Sequence, residues 1–252
     1  MLKNKKLLGL LVLLPFLAFI VPQKKIKIFL AGDSTMSIKD KKNYPETGWG
    51  MPFVNFWNEN VEVINLAKNG RSTKSFQREN LWQRIVDEEQ EGDYVLIQFG
   101  HNDEVPTKAN ATTQPEFKAN LEKFVKEARG KKAIPVLITP IARRKFDANG
   151  KVEGTHDVYS AIVRTVAAEQ KVPLIDLDKE GQQLYQQLGV EPSKLLFNYL
   201  APGEHPNYPT GKADDTHFSE LGARKVAEMV LKNIRTQLPG LAAYINDPTV
   251  KK

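Results

Sequence analysis

IKIFLAGDST, residues 26–35, decides the fold. Residues 26–31 form a short apolar run with no helical spacing. Gly32, Asp33 and Ser34 then break it, so the chain is expected to turn there from a strand toward a helix. A run that is apolar at nearly every position, rather than at every second one, suits a strand buried on both faces. Further runs of this kind are read at 61–67, 94–99, 134–138 and 172–177. Helical stretches are expected between them, at 50–57, 77–87, 158–169 and 184–188. Thr113-x-x-Glu116, with Pro115 in the first turn, forms a capping box that opens a helix to about Ala128, ended by Gly130. Ser219 is expected to cap a last long helix to about Arg235, stopped by Pro239 and Gly240. Strands alternating with helices predict a doubly wound α/β/α sandwich over a five-stranded parallel sheet.

Four short motifs stand where such a sheet would place a site. They are Gly32–Thr35 (GDST), Asn69–Thr73 (NGRST), Gly100–Asp103 (GHND) and Asp214–His217 (DDTH). In a flavodoxin-type strand order, 2-1-3-4-5, ligands bind beyond the carboxyl ends of neighbouring strands. Ser34 would end strand 1, Gly70 would follow strand 2 and Asn102 would follow strand 3, so three separated motifs converge. Ser34 then reads as a nucleophile and His217 as its base. The Ser34 N–H, the Gly70 N–H and the Asn102 side chain read as donors for an oxyanion. Each residue has a plainer reading: a helix N-cap for Ser34 or Asp33, a turn glycine for Gly70, an Asx-turn for Asn102. Asp214 lies three residues before His217 and is able to orient its ring. Asp215 is the rival, and spacing does not choose between them. Asp214, Asp215 and His217 would also suit a metal, but no second cluster completes such a site. Of the other histidines, His101 reads as structural, while His156 and His205 are candidates to line a cleft.

The whole chain narrows the class. At 252 residues it has the length of one enzyme-sized domain. It has no cysteine, which excludes disulfides, thiolate nucleophiles and cysteine zinc sites. The net charge of +6 is spread among mixed signs, with no basic stripe interleaved with aromatics, so nucleic acid is not an expected partner. A mildly basic surface would help attract a polyanion such as a uronic-acid polysaccharide, although a solvated mixed surface is the simpler reading. Gly-x-Ser-x-Gly, the Walker loop, Gly-x-Gly-x-x-Gly and His-Glu-x-x-His are all absent. Lys3, Lys5 and Lys6 precede an apolar run at 7–22, which reads as a secretory signal over residues 1–23, with the folded domain at 24–252. An uncleaved N-terminal anchor is the other reading of that run, and would be the chain's only contact with a membrane. Both readings place the domain outside the cytoplasm, secreted or periplasmic, and it is expected to be a monomer.

The blocks GDST, NGRST, GHND and DDTH resemble those of the SGNH (GDSL-type) hydrolase superfamily. IFLAGDSTM, YPETGWGMPF, NLAKNGRSTKSF, GDYVLIQFGHND, TPIARR and DDTHFS are similar, more narrowly, to the rhamnogalacturonan acetylesterase family of carbohydrate esterases. The resemblance runs from about Lys25 to Arg235. It implies a flavodoxin-like sandwich, a Ser34–Asp214–His217 triad, and an oxyanion hole of Ser34, Gly70 and Asn102. It favours Asp214 over Asp215, because the family's aspartate stands three before the histidine. It also implies that Trp49, Arg71, Arg143 and Arg144 lie near a sugar-binding cleft, where the plainer readings are core packing for Trp49 and surface charge for the arginines, and that neither a metal nor an organic cofactor takes part. The expected activity is removal of O-acetyl groups from rhamnogalacturonan or another pectic polysaccharide. The rivals are an esterase of xylan or lipid-type esters and, in another class, a non-catalytic carbohydrate-binding protein on the same scaffold.

Overall fold

Strands β1 (Ile26–Gly32), β2 (Val61–Asn65), β3 (Tyr94–Gln98), β4 (Ile134–Ile138) and β5 (Leu174–Ile175) form one parallel sheet in the order β2-β1-β3-β4-β5. The computed structural model describes residues 24–246. The signal predicted at 1–23 lies outside the described residues. Helices α1 (Gly50–Phe53), α6 (Leu177–Leu188), α7 (Glu220–Gln237) and α8 (Pro239–Ala242) contribute to one core; α2 (Thr73–Arg78), α3 (Leu81–Glu88), α4 (Gln114–Gly130) and α5 (Asp157–Gln170) contribute to the other. This is the α/β/α sandwich expected from the alternation of runs.

The central strands are apolar at nearly every position because both their faces are covered; β2, at the edge, is less buried and carries Glu62 and Asn65. Ile28 and Leu30 of β1, with Tyr94 and Leu96 of β3, join the core that contains Phe53, Val226 and Val230. Phe29 and Ala31, with Val95 and Ile97, join the opposite core with Trp82, Phe124 and Val163. Successive strand side chains alternate between layers, so one five-residue run serves two cores. Each fully buried aliphatic side chain adds roughly 1.5–3 kcal/mol to this packing. β1 and β3 run in register from Ile28↔Tyr94 to Gly32↔Gln98. Their carboxyl ends are therefore level, and the segments that carry Ser34 and Asn102 leave the sheet side by side. β1 sends its connection toward β2 while the chain later returns to β3 on its other flank, which is the switch point where open α/β sheets bind ligands.

Several expectations change in detail: the helix expected at 50–57 spans only Gly50–Phe53, the strand expected at 61–67 ends at Asn65, and Pro239 opens the short α8. The helix expected at 77–87 is two helices, α2 and α3, broken at Asn80, which takes the left-handed conformation at φ 57°. Ser72 caps α2 through a reciprocal pair of bonds with Ser75, and this cap fixes where the Asn69–Thr73 segment ends. No helix directly follows β1. The chain instead takes a turn in which Asp33 Oδ1 accepts from the Thr35 N–H and hydroxyl, both at 2.9 Å. It then runs irregularly to α1, held by Gly48, whose Cα lies against Ser37 too closely for a side chain. β5 spans only two residues rather than 172–177, and Leu177 already starts α6. The capping boxes of α4 and the serine cap of α7 form as expected: Thr113 accepts from the Glu116 N–H, and Ser219 from the Gly222 N–H.

Candidate active site

Asp214 and His217 owe their alignment to a local turn. Asp214 Oδ1 accepts the N–H groups of Thr216, at 2.9 Å, and His217, at 3.0 Å. Its second oxygen is thereby directed to His217 Nδ1, 2.9 Å away. His217 Nε2 faces Ser34 Oγ at 3.0 Å. The histidine stands two residues before the cap of α7, and the segment is held on both sides. Phe218 accepts from the Thr47 N–H, and His217 O accepts from Asn198. Burial by itself would raise the Asp214 carboxyl. The hydrogen bond and charge of His217, with the two N–H donors, outweigh it and hold the group well below the usual carboxylate range.

Asp215 points elsewhere. Its Oδ1 accepts from Tyr199 at 2.5 Å and pairs with Arg144 at 2.8 Å. Asp214 is thus the carboxylate that contacts His217, while Asp215 is held by Tyr199 and Arg144, so the two do not converge as ligands of one metal. Among the described residues no group of three or more histidines, aspartates or glutamates is arranged to hold a metal.

Hydrogen bonds tie together the segments that carry the expected oxyanion donors. Gly70 is exposed at φ 76°, a conformation that favours glycine, and nothing lies within 4 Å of where a Cβ would stand. Its carbonyl accepts from Asn110 Nδ2 at 2.7 Å. Asn102 is buried. Its Nδ2 donates to the Arg71 carbonyl at 2.9 Å, while Lys108 Nζ donates to its Oδ1 at 2.6 Å. An amide nitrogen carries two hydrogens, so fixing one on Arg71 aims the other. Asn69, the first residue of that motif, accepts on Oδ1 from Ser37 Oγ at 2.6 Å and Lys39 Nζ at 2.9 Å, which ties the loop to the Ser34 turn.

The residues expected to face a sugar divide. Trp49 is fully buried, stacks edge-on with Phe53, and donates its indole N–H to Gln98 Oε1 at 2.8 Å. It supports the floor of the site and is unable to touch a substrate, which corrects the expectation. Arg144 is likewise corrected: its guanidinium is enclosed by Asp215, Ser193 Oγ and the Val190 carbonyl, and it braces the loop before His217. Arg71 and Arg143 keep about a quarter of their side chains exposed, paired with Glu79 and Glu104 at 2.8 Å each. His156 is buried, pairs with Glu104 at 2.8 Å, and lies ring to ring with His101 at 4.2 Å, so it does not line a cleft. Burial, then the neighbouring His156 and Arg143, push the His101 imidazole well below its usual range and keep it neutral. His205 does line a cavity of about 500 Å³, with Tyr44, Pro45, Met51, Pro52 and Arg224. Thr47, which also lines it, donates its N–H to the Phe218 carbonyl next to His217, and no triad residue lines the cavity.

Comparison with known proteins gives the family. Residues 30–225 match the GDSL-like lipase/acylhydrolase family. The chain belongs to that family. It is 46% identical to the rhamnogalacturonan acetylesterase RhgT of Bacillus subtilis strain 168, over 84% of this chain and 90% of that protein. It is 35% identical to the probable rhamnogalacturonan acetylesterase YesY of the same strain, over 82% and 92%. Among solved structures, the Bacillus subtilis protein YxiM superposes with a TM-score of 0.72 at 25% identity, covering 86% of this chain and 58% of that one. Axe2, an acetylxylan esterase from Geobacillus stearothermophilus, superposes at 0.61 with 19% identity, over 84% and 94%, a likeness of fold. The chain is an esterase of the SGNH fold.

Lys39 and Glu46 were not singled out from the sequence, although both stand at the site. Glu46 lies within the quoted block YPETGWGMPF, but a charged residue in an irregular stretch reads as solvated surface until its burial is seen.

Proposed function

We propose that this chain removes O-acetyl groups from a pectic polysaccharide, with acetylated rhamnogalacturonan as substrate, through an acetyl-enzyme on Ser34. The observation that carries the mechanism is the continuous line Ser34 Oγ–His217–Asp214, at 3.0 and 2.9 Å. Ser34 Oγ bonds to the acetyl carbon while its proton passes to His217 Nε2. The negative oxygen that results is met by the Ser34 and Gly70 N–H groups and the free amide hydrogen of Asn102. The bond from the acetyl carbon to the sugar oxygen then breaks, the sugar leaves as an alcohol with the proton from Nε2, and the acetyl group stays on Ser34. Water, deprotonated by His217, attacks the acetyl group and releases acetate and the free serine. Asp214 stays ionised throughout and stabilises the imidazolium. Side chains and main-chain N–H groups carry every step.

The substrate rests on the identity to RhgT and YesY over most of both chains. The basic run at residues 3–6 and the apolar one at 7–22 support export to where such a polysaccharide is met. The test is acetate release from acetylated rhamnogalacturonan, acetylated homogalacturonan and acetylated xylan, wild type beside Ser34→Ala. Rhamnogalacturonan is expected to be de-acetylated fastest, and Ser34→Ala to lose at least about 1,000-fold. Faster release from xylan overturns the substrate. Undiminished release by Ser34→Ala overturns the mechanism.

A further inference from the structure

Lys39 and Glu46 form an ion pair of 2.6 Å in which the lysine side chain is fully buried and the glutamate side chain is 9% exposed. Both belong to the irregular stretch between β1 and α1. Lys39 Nζ donates to Asn69 Oδ1 at 2.9 Å and to the carbonyl oxygen of Ser34, and Glu46 Oε1 stands against it as the opposite charge. Burial pushes the Lys39 ammonium down from the usual lysine range, and Glu46 opposes that shift. The same oxygen, Glu46 Oε1, lies 4.0 Å from His217 Nε2, the nitrogen that faces Ser34 Oγ.

A buried ion pair is a weak source of stability, because the cost of removing both charges from water offsets their attraction. An apolar pair of similar volume would hold this stretch about as well. The placement is what distinguishes it. One partner grips the main chain of Ser34. The other sets a negative charge against the edge of the ring that carries the proton during the reaction.

We propose that Lys39 and Glu46 are a positioning pair for the nucleophile and its base: Lys39 fixes the Ser34 main chain and the Asn69 loop, and Glu46 adds a second carboxylate that favours His217 in its charged form. The inference rests on the triad reading of Ser34 and His217. The charged and titratable groups that bear on the pair and on His217 are Asp214 at 2.9 Å from Nδ1, Lys212 at 3.4 Å from Asp214, Asp33, whose charge acts on Lys39, and His101. None of these is altered in the variants below.

The test is the pH dependence of kcat/KM for a small aryl acetate, which needs no glycan contact. Glu46→Gln removes the carboxylate and leaves Lys39 unbalanced, so the acid limb is expected to move down by about one pH unit. Lys39→Met combined with Glu46→Gln removes both charges, and its limb is expected between those of the single variant and wild type. Loss of the grip on Ser34 is expected to lower kcat/KM of the double variant at least tenfold, with Tm little changed. Should Glu46→Gln fail to fold, the double variant, neutral throughout, carries the same test against wild type. An acid limb at the wild-type position in the variants overturns the role of Glu46. A double variant with wild-type kcat/KM overturns the role of Lys39. Ser34→Ala, run alongside, separates these outcomes from failure of the triad itself, since an active Ser34→Ala would place the fault there.

Discussion

Replacing Asp214 by Asn should disable the enzyme while leaving its shape, and the structure gives both the size and the reason. Oδ1 of Asp214 is already taken by the N–H groups of Thr216 and His217. An asparagine must therefore keep its carbonyl oxygen there and turn its NH₂ toward His217 Nδ1. Nδ1 would have to accept rather than donate, which puts the ring proton on Nε2, the wrong tautomer for a base facing Ser34. The charge term is separable. A unit pair at 2.9 Å is worth about 6 kcal/mol at an effective dielectric of about 20, and about 3 kcal/mol at about 40. His217 is 29% exposed, so screening by water favours the lower part of that range. Those values correspond to losses of about 10,000-fold and about 100-fold in kcat. Asp215→Asn, one residue away, should cost less than about threefold in kcat. Its loss falls on the Arg144 and Tyr199 contacts, about 1 kcal/mol for a partly exposed acceptor, or ~2–4 °C in Tm. Aryl acetate hydrolysis and thermal unfolding of both variants, measured together, decide the matter. Retention of more than a tenth of wild-type kcat by Asp214→Asn, or an equal loss in Asp215→Asn, would refute the reasoning.

Asn102→Ala should lower kcat/KM by about 100- to 1,000-fold, the usual effect of losing one oxyanion donor, with a smaller change in KM; steady-state kinetics on an aryl acetate check this. Asp103 offers a pH signature of the fold. Its Oδ1 accepts from the Thr73 N–H, the Thr73 hydroxyl and the Thr112 hydroxyl, but Oδ2 is buried without a partner. Burial pushes its carboxyl up to about 7, against the three donors that lower it. A carboxyl raised in the folded state adds stability that is fully present below about pH 4 and is lost as pH rises through about 7. Asp103→Asn, which is neutral at every pH, should therefore flatten the decline of Tm over that window, and an unchanged decline would show that Asp103 does not titrate there.

The fold was legible because its signal is local. A short strand buried on both faces is apolar at nearly every position, and 26–31, 94–99 and 134–138 show this from composition alone, with Lys27 and Gln98 as the exceptions. Where the rule weakens, the reading slipped. At 172–177 the apolar residues divide between an edge strand of two residues and the start of α6, because Leu177 belongs to the same core whichever element carries it. At 77–87 a helical pattern hid the left-handed Asn80, since α2 and α3 present apolar residues to one core from two axes. The cap on α2 was not foreseen because Ser75 replaces the usual glutamate or glutamine of a capping box.

What the sequence alone determined was the kit: a serine after the first strand, a glycine and an asparagine after the second and third, and a histidine preceded by an aspartate. A parallel sheet carries all its strand ends to one edge, so order along the chain was enough to bring these together. What the tertiary structure decided was orientation and burial. Asp214 and Asp215 are neighbours whose side chains diverge, and the partner that claims Asp215 is Arg144, 71 residues away. Trp49 and Arg144 look like cleft residues until the core closes over one and a loop over the other. Lys39 and Glu46 look like surface charges until the chain folds them beneath Ser34. In each case the deciding contact comes from a segment remote in sequence, and the strength of a charge or hydrogen bond depends on how much water that segment excludes.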